Sequence, residues 1–514
     1  MKLTSAISSV MAALAIMPAA NATAENVVIN GNIIDWYYYG KDIHSSNTGW
    51  YQMPVGGIDT PANLGMFQIA IDPSSTKEDK YVGMDFMADN LRNHVLYSNA
   101  GGVFTGDYFY SFFMHETPES QESNEEYGSE EWEILIRKWD LETGKYETLD
   151  KRLPAQPTDL TYDPINDRVY GIFRIFTEEE DYYYELCELD METFEVRQIS
   201  HEMFDTYQDP RALAINSKGE IYGITQRGEV LKFDKETGAC TRVGNTGFCT
   251  QERMMSAAFD FRTDKLYWLG YVNDGIKYHG DTSGANNHLT IAEGGRDTGI
   301  FEVNTTTGVA TLLSKPEHKE FDYEAMKLNW AGKVQMTGIW VDGSFEKADQ
   351  DLKVDLVSAP QSLKAGETGE IQVKVKNIGK NLMGEDDWSV ELQAGGTKVA
   401  SKSGRDLEKG ESRVVKFAYT APASGPVALT AVIVSDKDQV AANNSTAEFT
   451  IQVVPGGIKG DVDGDGEVDT NDLNAVINAL VGKGSASNTD VDGDGTTDVS
   501  DVNALINLVL GKGM

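Results

Sequence analysis

Residues 461–472 read DVDGDGEVDTND and residues 490–501 read DVDGDGTTDVSD, so one acidic loop occurs twice, 29 positions apart. Each copy carries carboxylates at loop positions 1, 3, 5, 9 and 12 and glycine at position 6. Calcium prefers six to eight oxygen ligands at about 2.3–2.6 Å, and glycine permits the sharp turn that wraps such a loop around the ion. The repeat therefore predicts two Ca²⁺ ions, one in each loop.

All the predicted metal ligands come from these two loops. Side chains at positions 1, 3 and 5 converge on the ion, position 7 offers its main-chain carbonyl, position 9 often acts through water, and position 12 binds through both oxygens. The predicted ligands are Asp461, Asp463, Asp465, Glu467, Asp469 and Asp472 in the first loop, and Asp490, Asp492, Asp494, Thr496, Asp498 and Asp501 in the second.

A short amphipathic helix is predicted after each loop. Apolar residues recur at helical spacing in residues 473–480 and 502–510, and Gly482 and Gly511 mark the two helix ends. Two such units can bury their apolar faces only against each other, and a module this small has little core. We therefore expect bound calcium to hold the module folded.

Residues 460–514 resemble a type I dockerin, with two loops, Asp at position 12 and one helix after each loop. The resemblance implies a cohesin-like protein partner, and it implies that loop positions 10 and 11 help to select that partner. These positions are Thr470 and Asn471 in the first copy and Val499 and Ser500 in the second. Because the pairs differ, equivalent binding by both copies is left open, and a purely structural calcium clasp is the alternative.

Residues 353–454 predict an all-β domain, which a short linker at residues 455–459 joins to the C-terminal module. Apolar and polar residues alternate in residues 366–377 and 413–419, as in strands with one buried face. About 100 residues and roughly seven short strands fit an immunoglobulin-like sandwich. The closing residues 436–446 resemble those of the bacterial cell-adhesion-related domain (CARDB), which is Ig-like, and the expected role is a spacer.

Two short patterns alternate through residues 25–348. One is a strand followed by Asp-x-x-Thr-Gly, and the other is a strand ending in Asp or Asn followed by a strand that contains Tyr. Asp or Asn with Gly at these spacings is typical of hairpin turns, so a structural role is expected and not a catalytic one. The first pattern begins at Asp140, Asp234 and Asn304, with a degenerate copy at Asp190; the second includes Asp163, Asn216 and Asp260, with a fainter relative at Asp72.

The spacing of these patterns, mostly 44 to 53 residues, is that of four-stranded units in a β-propeller. The length favours six or seven blades, and closure is expected from a strand near residues 27–34 pairing with residues 334–341. In general terms the region resembles NHL and WD40-like repeat propellers. The whole chain is thus predicted to be mostly β, with a propeller, an Ig-like sandwich and a small helical calcium-binding module.

The N-terminus predicts export. Residues 1–24 combine Lys2, an apolar stretch at 6–16 and the small residues Ala22 and Ala24, as in a signal peptide cleaved before Glu25. No segment is long and apolar enough for a membrane span. The expected location is secreted and extracellular, with association to the cell surface left open.

The net charge of −37, from 44 basic and 81 acidic residues, argues against nucleic acid as a partner. The three cysteines exclude a fully paired disulfide framework. Cys240 and Cys249 could pair across a short loop, and Cys187 is expected to be a small buried hydrophobic residue.

No catalytic residues can be named from the sequence. The seven histidines are scattered, and neither an HExxH nor a GxSxG motif occurs. Dense aromatic runs at 36–39, 50–51 and 182–184 suit sugar faces but also suit packing between blades. The favoured function is a non-enzymatic platform for a polysaccharide or another surface polymer, carried by the dockerin. The alternatives are a secreted glycoside hydrolase or polysaccharide lyase, and a structural or adhesive surface protein.

Overall fold

The structure, a computed structural model, describes residues 26–34, 66–86, 101–116, 132–176, 182–199, 210–248, 255–273, 296–314, 335–454, 459–465, 467–484 and 488–511. The chain divides into two compact units, Met1–Glu346 and Lys347–Met514. The described part is mostly β, as predicted, and its two α-helices both lie near the C-terminus. The predicted signal peptide at residues 1–24 lies outside the described residues.

The described residues of the first unit form five four-stranded antiparallel sheets. Sheet I contains β1 (Val27–Ile34), β2 (Met66–Ile71) and β3 (Tyr81–Phe86), and sheet II contains β4 (Gly102–Phe104), β5 (Phe109–Glu116), β6 (Trp132–Asp140) and β7 (Lys145–Leu153). Sheet III contains β8 (Gln156–Asp163), β9 (Arg168–Phe176), β10 (Tyr182–Leu189) and β11 (Val196–Gln198). Sheet IV contains β12 (Pro210–Ile215), β13 (Ile221–Thr225), β14 (Glu229–Phe233) and β15 (Cys240–Asn245). Sheet V contains β16 (Ser256–Asp260), β17 (Lys265–Asn273), β18 (Arg296–Val303) and β19 (Ala310–Ser314), and β20 (Gln335–Val341) completes sheet I.

The five sheets form a closed ring. Apolar residues fill the space between each sheet and the next, from sheet I to sheet V, and a fifth cluster packs sheet V back against sheet I. The innermost strands β4, β8, β12, β16 and β20 are also neighbours around one circuit. The burial of large side chains such as Trp139, Trp268 and Phe301 between sheets supplies the main stabilising term.

The ring is closed by the two ends of its own sequence. Strand β1 pairs antiparallel with β20, with Ile29 opposite Val341 and Ile33 opposite Met336, which confirms the predicted closure. The count differs from the prediction, because the described residues contain five four-stranded sheets and not six or seven. The prediction divided the whole length of residues 25–348 among blades, and several stretches of that length, such as residues 35–65 and 274–295, lie outside the described residues.

The Asp-x-x-Thr-Gly segments form the turns between the third and fourth strands of four sheets, as predicted. In each turn, Oδ1 of the first residue accepts hydrogen bonds from the main-chain N–H groups two and three positions later, at 2.7–3.1 Å. The glycine adopts a left-handed conformation, with φ of 71° at Gly238 and 76° at Gly308. Asp72 differs from Asp163, Asn216 and Asp260, which were its predicted relatives. These three lie at or directly after the end of the first strand of a sheet, whereas Asp72 follows β2, the third strand of sheet I.

These short turns lie at one end of the sheets, together with the turns between first and second strands. At the opposite end lie the strand ends that are joined through residues 35–65, 274–295 and 315–334, which are outside the described residues. Connections carry binding residues more often than the strands that they join. The two ends of the ring therefore differ in the length of the segments that join their strands.

Cys187 is fully buried between sheets II and III, which confirms its expected role. Burial first, and then the charge of Glu185, raises the pKa of the Cys187 thiol to about 12. Cys240 lies in β15, and its possible partner Cys249 lies outside the described residues.

The middle of the second unit is a β-sandwich of two sheets. One sheet has the order β21 (Leu352–Ser358), β23 (Thr368–Asn377), β26 (Ser412–Thr420). The other has the order β22 (Ser362–Lys364), β28 (Phe449–Val454), β27 (Val427–Val434), β24 (Ser389–Ala394), β25 (Thr397–Ser403). Inward-facing residues that include Val373, Leu392 and Phe417 form one core, which is the packing expected of an Ig-like domain.

The C-terminal module contains the two described helices, α1 (Thr470–Leu480) and α2 (Val499–Val509). Gly482 and Gly511 take left-handed φ values of 70° and 65° just after the helix ends, as the sequence predicted. The helices pack on a small core of Val462, Val476, Val491, Ala504 and Leu505. No helix among the described residues could cross a membrane.

Candidate calcium-binding and docking site

Each acidic loop brings three carboxylates together. In the first loop, oxygens of Asp461, Asp463 and Asp472 lie within 4.8 Å of one another. In the second loop the same is true of Asp490, Asp492 and Asp494. The other predicted ligands lie in the same loops but outside these two trios. They are Asp465, Glu467 and Asp469 in the first loop, and Thr496, Asp498 and Asp501 in the second.

This spacing fits a calcium ion. Two oxygens on opposite sides of an ion, each about 2.4 Å away, are separated by about 4.8 Å. All donors in the two trios are hard carboxylate oxygens, the ligand type that calcium prefers over nitrogen or sulfur. The residues therefore fit the implied metal, which the six side chains of the two trios would hold.

The Asp residue at position 12 organises the loop as well. Oδ1 of Asp472 accepts hydrogen bonds from the N–H groups of Val462 at 2.6 Å and Asp463 at 3.1 Å, and Oδ2 accepts one from Asp469 at 2.8 Å. Asp501 makes the same three contacts in the second loop. Both side chains are fully buried. Because of these hydrogen bonds, each carboxylate joins the start of its loop to the start of the following helix.

The residue at position 9 caps the helix. Asp469 is the N-cap of α1 and accepts a hydrogen bond from the N–H of Asn471, and Asp498 caps α2 in the same way. Together with Asp472 or Asp501 at the third helical position, each forms a capping box. This second role was not predicted, although the spacing Asp-x-x-Asp before an apolar run carries the signal.

The electrostatics of the loops favour a bound cation. The pKa of Asp463 is raised above its usual range, by desolvation first and then by the charges of Asp465, Asp472 and Asp461. Burial acts to raise the pKa of Asp472, but its main-chain N–H donors outweigh burial and hold this pKa below the usual value. The carboxylates thus repel one another when no ion lies between them, and a divalent ion reverses that repulsion.

The four predicted partner-binding residues are exposed at the first turns of the helices. Thr470 and Asn471 begin α1, and Val499 and Ser500 begin α2. Val499 leaves 68% of its surface exposed. Their positions are compatible with contact to another protein.

At the short-turn end of the ring, aromatic side chains pack among the innermost strands. Phe345 follows β20 and contacts Tyr162, Phe261 and Phe104, with ring centroids 5.7–6.3 Å apart. These residues and the ends of the innermost strands line an apolar cavity. The described residues here offer packing contacts and no pair of catalytic groups. The aromatic runs at 36–39 and 50–51 lie outside the described residues.

A buried carboxylate lies deeper between the innermost strands. Asp159 in β8 accepts hydrogen bonds from the N–H of Leu213 in β12 at 2.8 Å and from Oγ of Ser256 in β16 at 3.0 Å. Ser256 Oγ in turn accepts the N–H of Ile339 in β20 at 3.1 Å. Burial raises the pKa of Asp159 well above its usual range, against the opposing effect of these donors. No sequence signal marks this residue.

Comparison with known protein families identifies two modules. Residues 459–510 match the dockerin type I domain, and residues 349–450 match the CARDB domain. Both resemblances inferred from the sequence are thereby confirmed. Dockerin domains bind calcium and cohesins, and proteins that carry them are typically extracellular. A search of curated proteins found no match to this chain.

Several solved structures are similar to parts of the chain. The CARDB domain of a Pyrococcus furiosus protein is 23% identical over 21% of this chain and 97% of that domain, with a TM-score of 0.19. A chain of a nidogen–laminin complex is 8% identical over 62% of this chain and 99% of its own length, with a TM-score of 0.30. YjhT is 10% identical over 50% and 83% respectively, with a TM-score of 0.28. Scores this low carry no argument about fold or function.

Proposed function

We propose that this protein is exported and is attached by its C-terminal module, loaded with two calcium ions, to a cohesin-bearing partner outside the cell. The match of residues 459–510 to the dockerin family carries the proposal. The converging carboxylates and the exposed residues at the two helix starts support it. The signal-peptide pattern in residues 1–24 supports export.

The first unit is proposed to be a five-bladed propeller that binds a polysaccharide or a similar surface polymer. The closed ring of five four-stranded sheets supports the propeller. Phe345 lines the cavity at the short-turn end, and the longest segments between strands join at the opposite end, where we place the ligand. In this arrangement the sandwich at residues 353–454 is a spacer between the binding unit and the docking module at residues 460–514.

Retention on a polysaccharide array tests the platform. We expect the full chain to be retained on at least one polysaccharide, and a chain that begins at Lys347 to be retained on none, because it lacks the ring. Soluble oligosaccharide release is measured in the same wells. Release would favour the hydrolase or lyase alternative, and equal retention of both chains would contradict the platform.

The docking role is tested by exchanging the residues at loop positions 10 and 11. Replacing Thr470 and Asn471 by Val and Ser should change the Kd for a captured cohesin by about thirtyfold, as expected of a hot spot of about 2 kcal/mol. Calcium affinity should not change, since neither side chain belongs to a carboxylate trio. Surface plasmon resonance at saturating calcium measures the Kd.

Two variants control this experiment. The reciprocal exchange, Val499→Thr with Ser500→Asn, tests whether the second copy carries the contact instead. Asn478→Ala alters an exposed residue in the middle of α1 and should leave the Kd unchanged. If calcium-loaded protein captures no cohesin that calcium-free protein misses, the docking role is wrong and only a structural clasp survives.

A further inference from the structure

The two calcium loops differ in how they are held. Asp461, the first residue of the first loop, is 8% exposed, whereas its counterpart Asp490 is half-buried. Gly460, just before Asp461, lies so close to α2 that an added Cβ would meet Leu508 Cδ1 at 2.8 Å and Leu505 Cδ1 at 2.9 Å. The first loop is therefore fixed from its first residue by packing on the opposite helix.

The second loop begins differently. Thr489 occupies the position equivalent to Gly460, and its hydroxyl forms a hydrogen bond with the hydroxyl of Thr497 at 2.8 Å. Asp490 is held by N–H groups of its own loop, from Gly493 at 2.8 Å and from Gly495 at 2.9 Å. The second loop is thus organised by local bonds, most of them exposed to solvent.

The two trios draw on different loop positions. The trio of the first loop includes Asp472 at position 12, and that of the second consists of Asp490, Asp492 and Asp494 at positions 1, 3 and 5. Asp472 and Asp501 are equally buried and accept the same three main-chain hydrogen bonds, so position 12 does not distinguish the loops. The difference lies at position 1, where Asp461 is more buried than Asp490, and a ligand already in place reduces the ordering cost of binding.

The charge of the loops also differs, at position 7. Glu467 in the first loop is replaced by Thr496 in the second, so the first loop has six carboxylates and the second has five. Glu467 is exposed, and one exposed charge about 6 Å from a divalent ion changes its affinity by about threefold at physiological ionic strength. Calcium affinity in such loops depends on ligand charge and on the rigidity of the site.

We infer that the two sites are not equivalent: the first loop binds calcium more tightly, and the second loop fills at a higher calcium concentration. This inference rests on the proposed calcium-binding function. Its consequence is that the second copy, with Val499 at its helix start, completes its fold last as calcium rises. The second loop then sets the calcium concentration at which the whole module is formed.

Hydrogen–deuterium exchange of the full chain, read by mass spectrometry across a series of free calcium concentrations, follows each loop separately. Peptides covering residues 460–472 should reach half-protection at a free calcium concentration at least about threefold lower than peptides covering residues 489–501. Peptides from β23 in the sandwich serve as the internal reference and should not respond to calcium.

Exchanging the position 7 residues makes the test specific. Thr496→Glu should lower the midpoint of the second loop by about threefold, and Glu467→Thr should raise that of the first loop by a similar factor. Glu448→Thr removes an exposed carboxylate of the sandwich and should shift neither midpoint. Coincident midpoints in the natural chain, or a second loop that is protected first, would overturn the inference. Absence of calcium-dependent protection in both loops would instead refute calcium binding itself.

Discussion

Removing calcium should unfold the C-terminal module almost completely. Its core contains five buried apolar residues, Val462, Val476, Val491, Ala504 and Leu505. Each contributes about 1–3 kcal/mol on burial, whereas ordering a residue costs about 1.5 kcal/mol, so a module of this size gains little net stability from packing. The repelling carboxylates in the two loops reduce that stability further.

Circular dichroism of a fragment spanning residues 459–514 measures this effect. We expect helix to appear on calcium addition and to disappear on chelation. Magnesium should restore the helix poorly, because calcium is the larger ion and suits the six to eight oxygen ligands of such loops better. Equal helicity in calcium and in chelator would contradict the prediction.

Two substitutions separate the roles of loop positions 9 and 12. Asp472→Ala removes a fully buried ligand and leaves the N–H groups of Val462, Asp463 and Asp469 without their acceptor, at a cost of about 3 kcal/mol or more. Asp469→Ala removes the helix cap, at a cost of about 1 kcal/mol, and a predicted ligand that often acts through water. The calcium midpoint for helix formation should therefore rise far more in the first variant than in the second.

A single substitution between the innermost strands should destabilise the whole ring. Asp159→Ala removes the acceptor of the Leu213 N–H and of the Ser256 hydroxyl, which itself accepts the Ile339 N–H. This network joins β8, β12, β16 and β20, and the groups left behind are buried beyond the reach of water. We expect a loss of about 3–5 kcal/mol in the free energy of unfolding.

Urea unfolding of the full chain, followed by the fluorescence of the buried Trp139 and Trp268, measures this loss. Asp140→Ala is the matched control. Like Asp159, Asp140 accepts two hydrogen bonds, but it lies in an exposed turn, where water can take the place of the lost carboxylate. The control should cost about 1 kcal/mol or less. If both variants unfold at the same urea concentration, the network between the strands does not stabilise the ring.

The parts of the structure that the sequence predicted are those with local causes. The turn at Asp234 and Gly238 can be read directly, because the side chain and the N–H groups that it binds are two and three positions apart. The acidic loops are equally local, and so are the glycines that end the helices. The pairing of β1 with β20 could be inferred because a ring built from repeats must close on itself.

The parts that the sequence did not predict depend on distant residues. Asp159 meets Leu213 and Ser256 across 54 and 97 positions, and nothing near Asp159 in the sequence distinguishes it from the many exposed carboxylates of this acidic chain. The described residues contain five sheets where six or seven blades were predicted, because chain length alone does not fix how many strands a repeat region holds. The difference between the two loops depends on the packing of Gly460 against α2, which no local sequence pattern indicates.

The pairing of β1 with β20 also determines when the first unit can fold. The ribosome makes Asn30 long before Asp342, the residue whose carboxylate accepts its side-chain hydrogen bond 312 positions later. Until β20 emerges, one edge of β1 exposes unpaired main-chain groups, and contacts this distant in sequence form slowly. A chain that stops before residue 335 lacks β20 and keeps that open edge, which favours aggregation and proteolysis. Pairing of β1 with β20 therefore distinguishes chains that contain β20 from truncated chains, whose β1 edge stays unpaired.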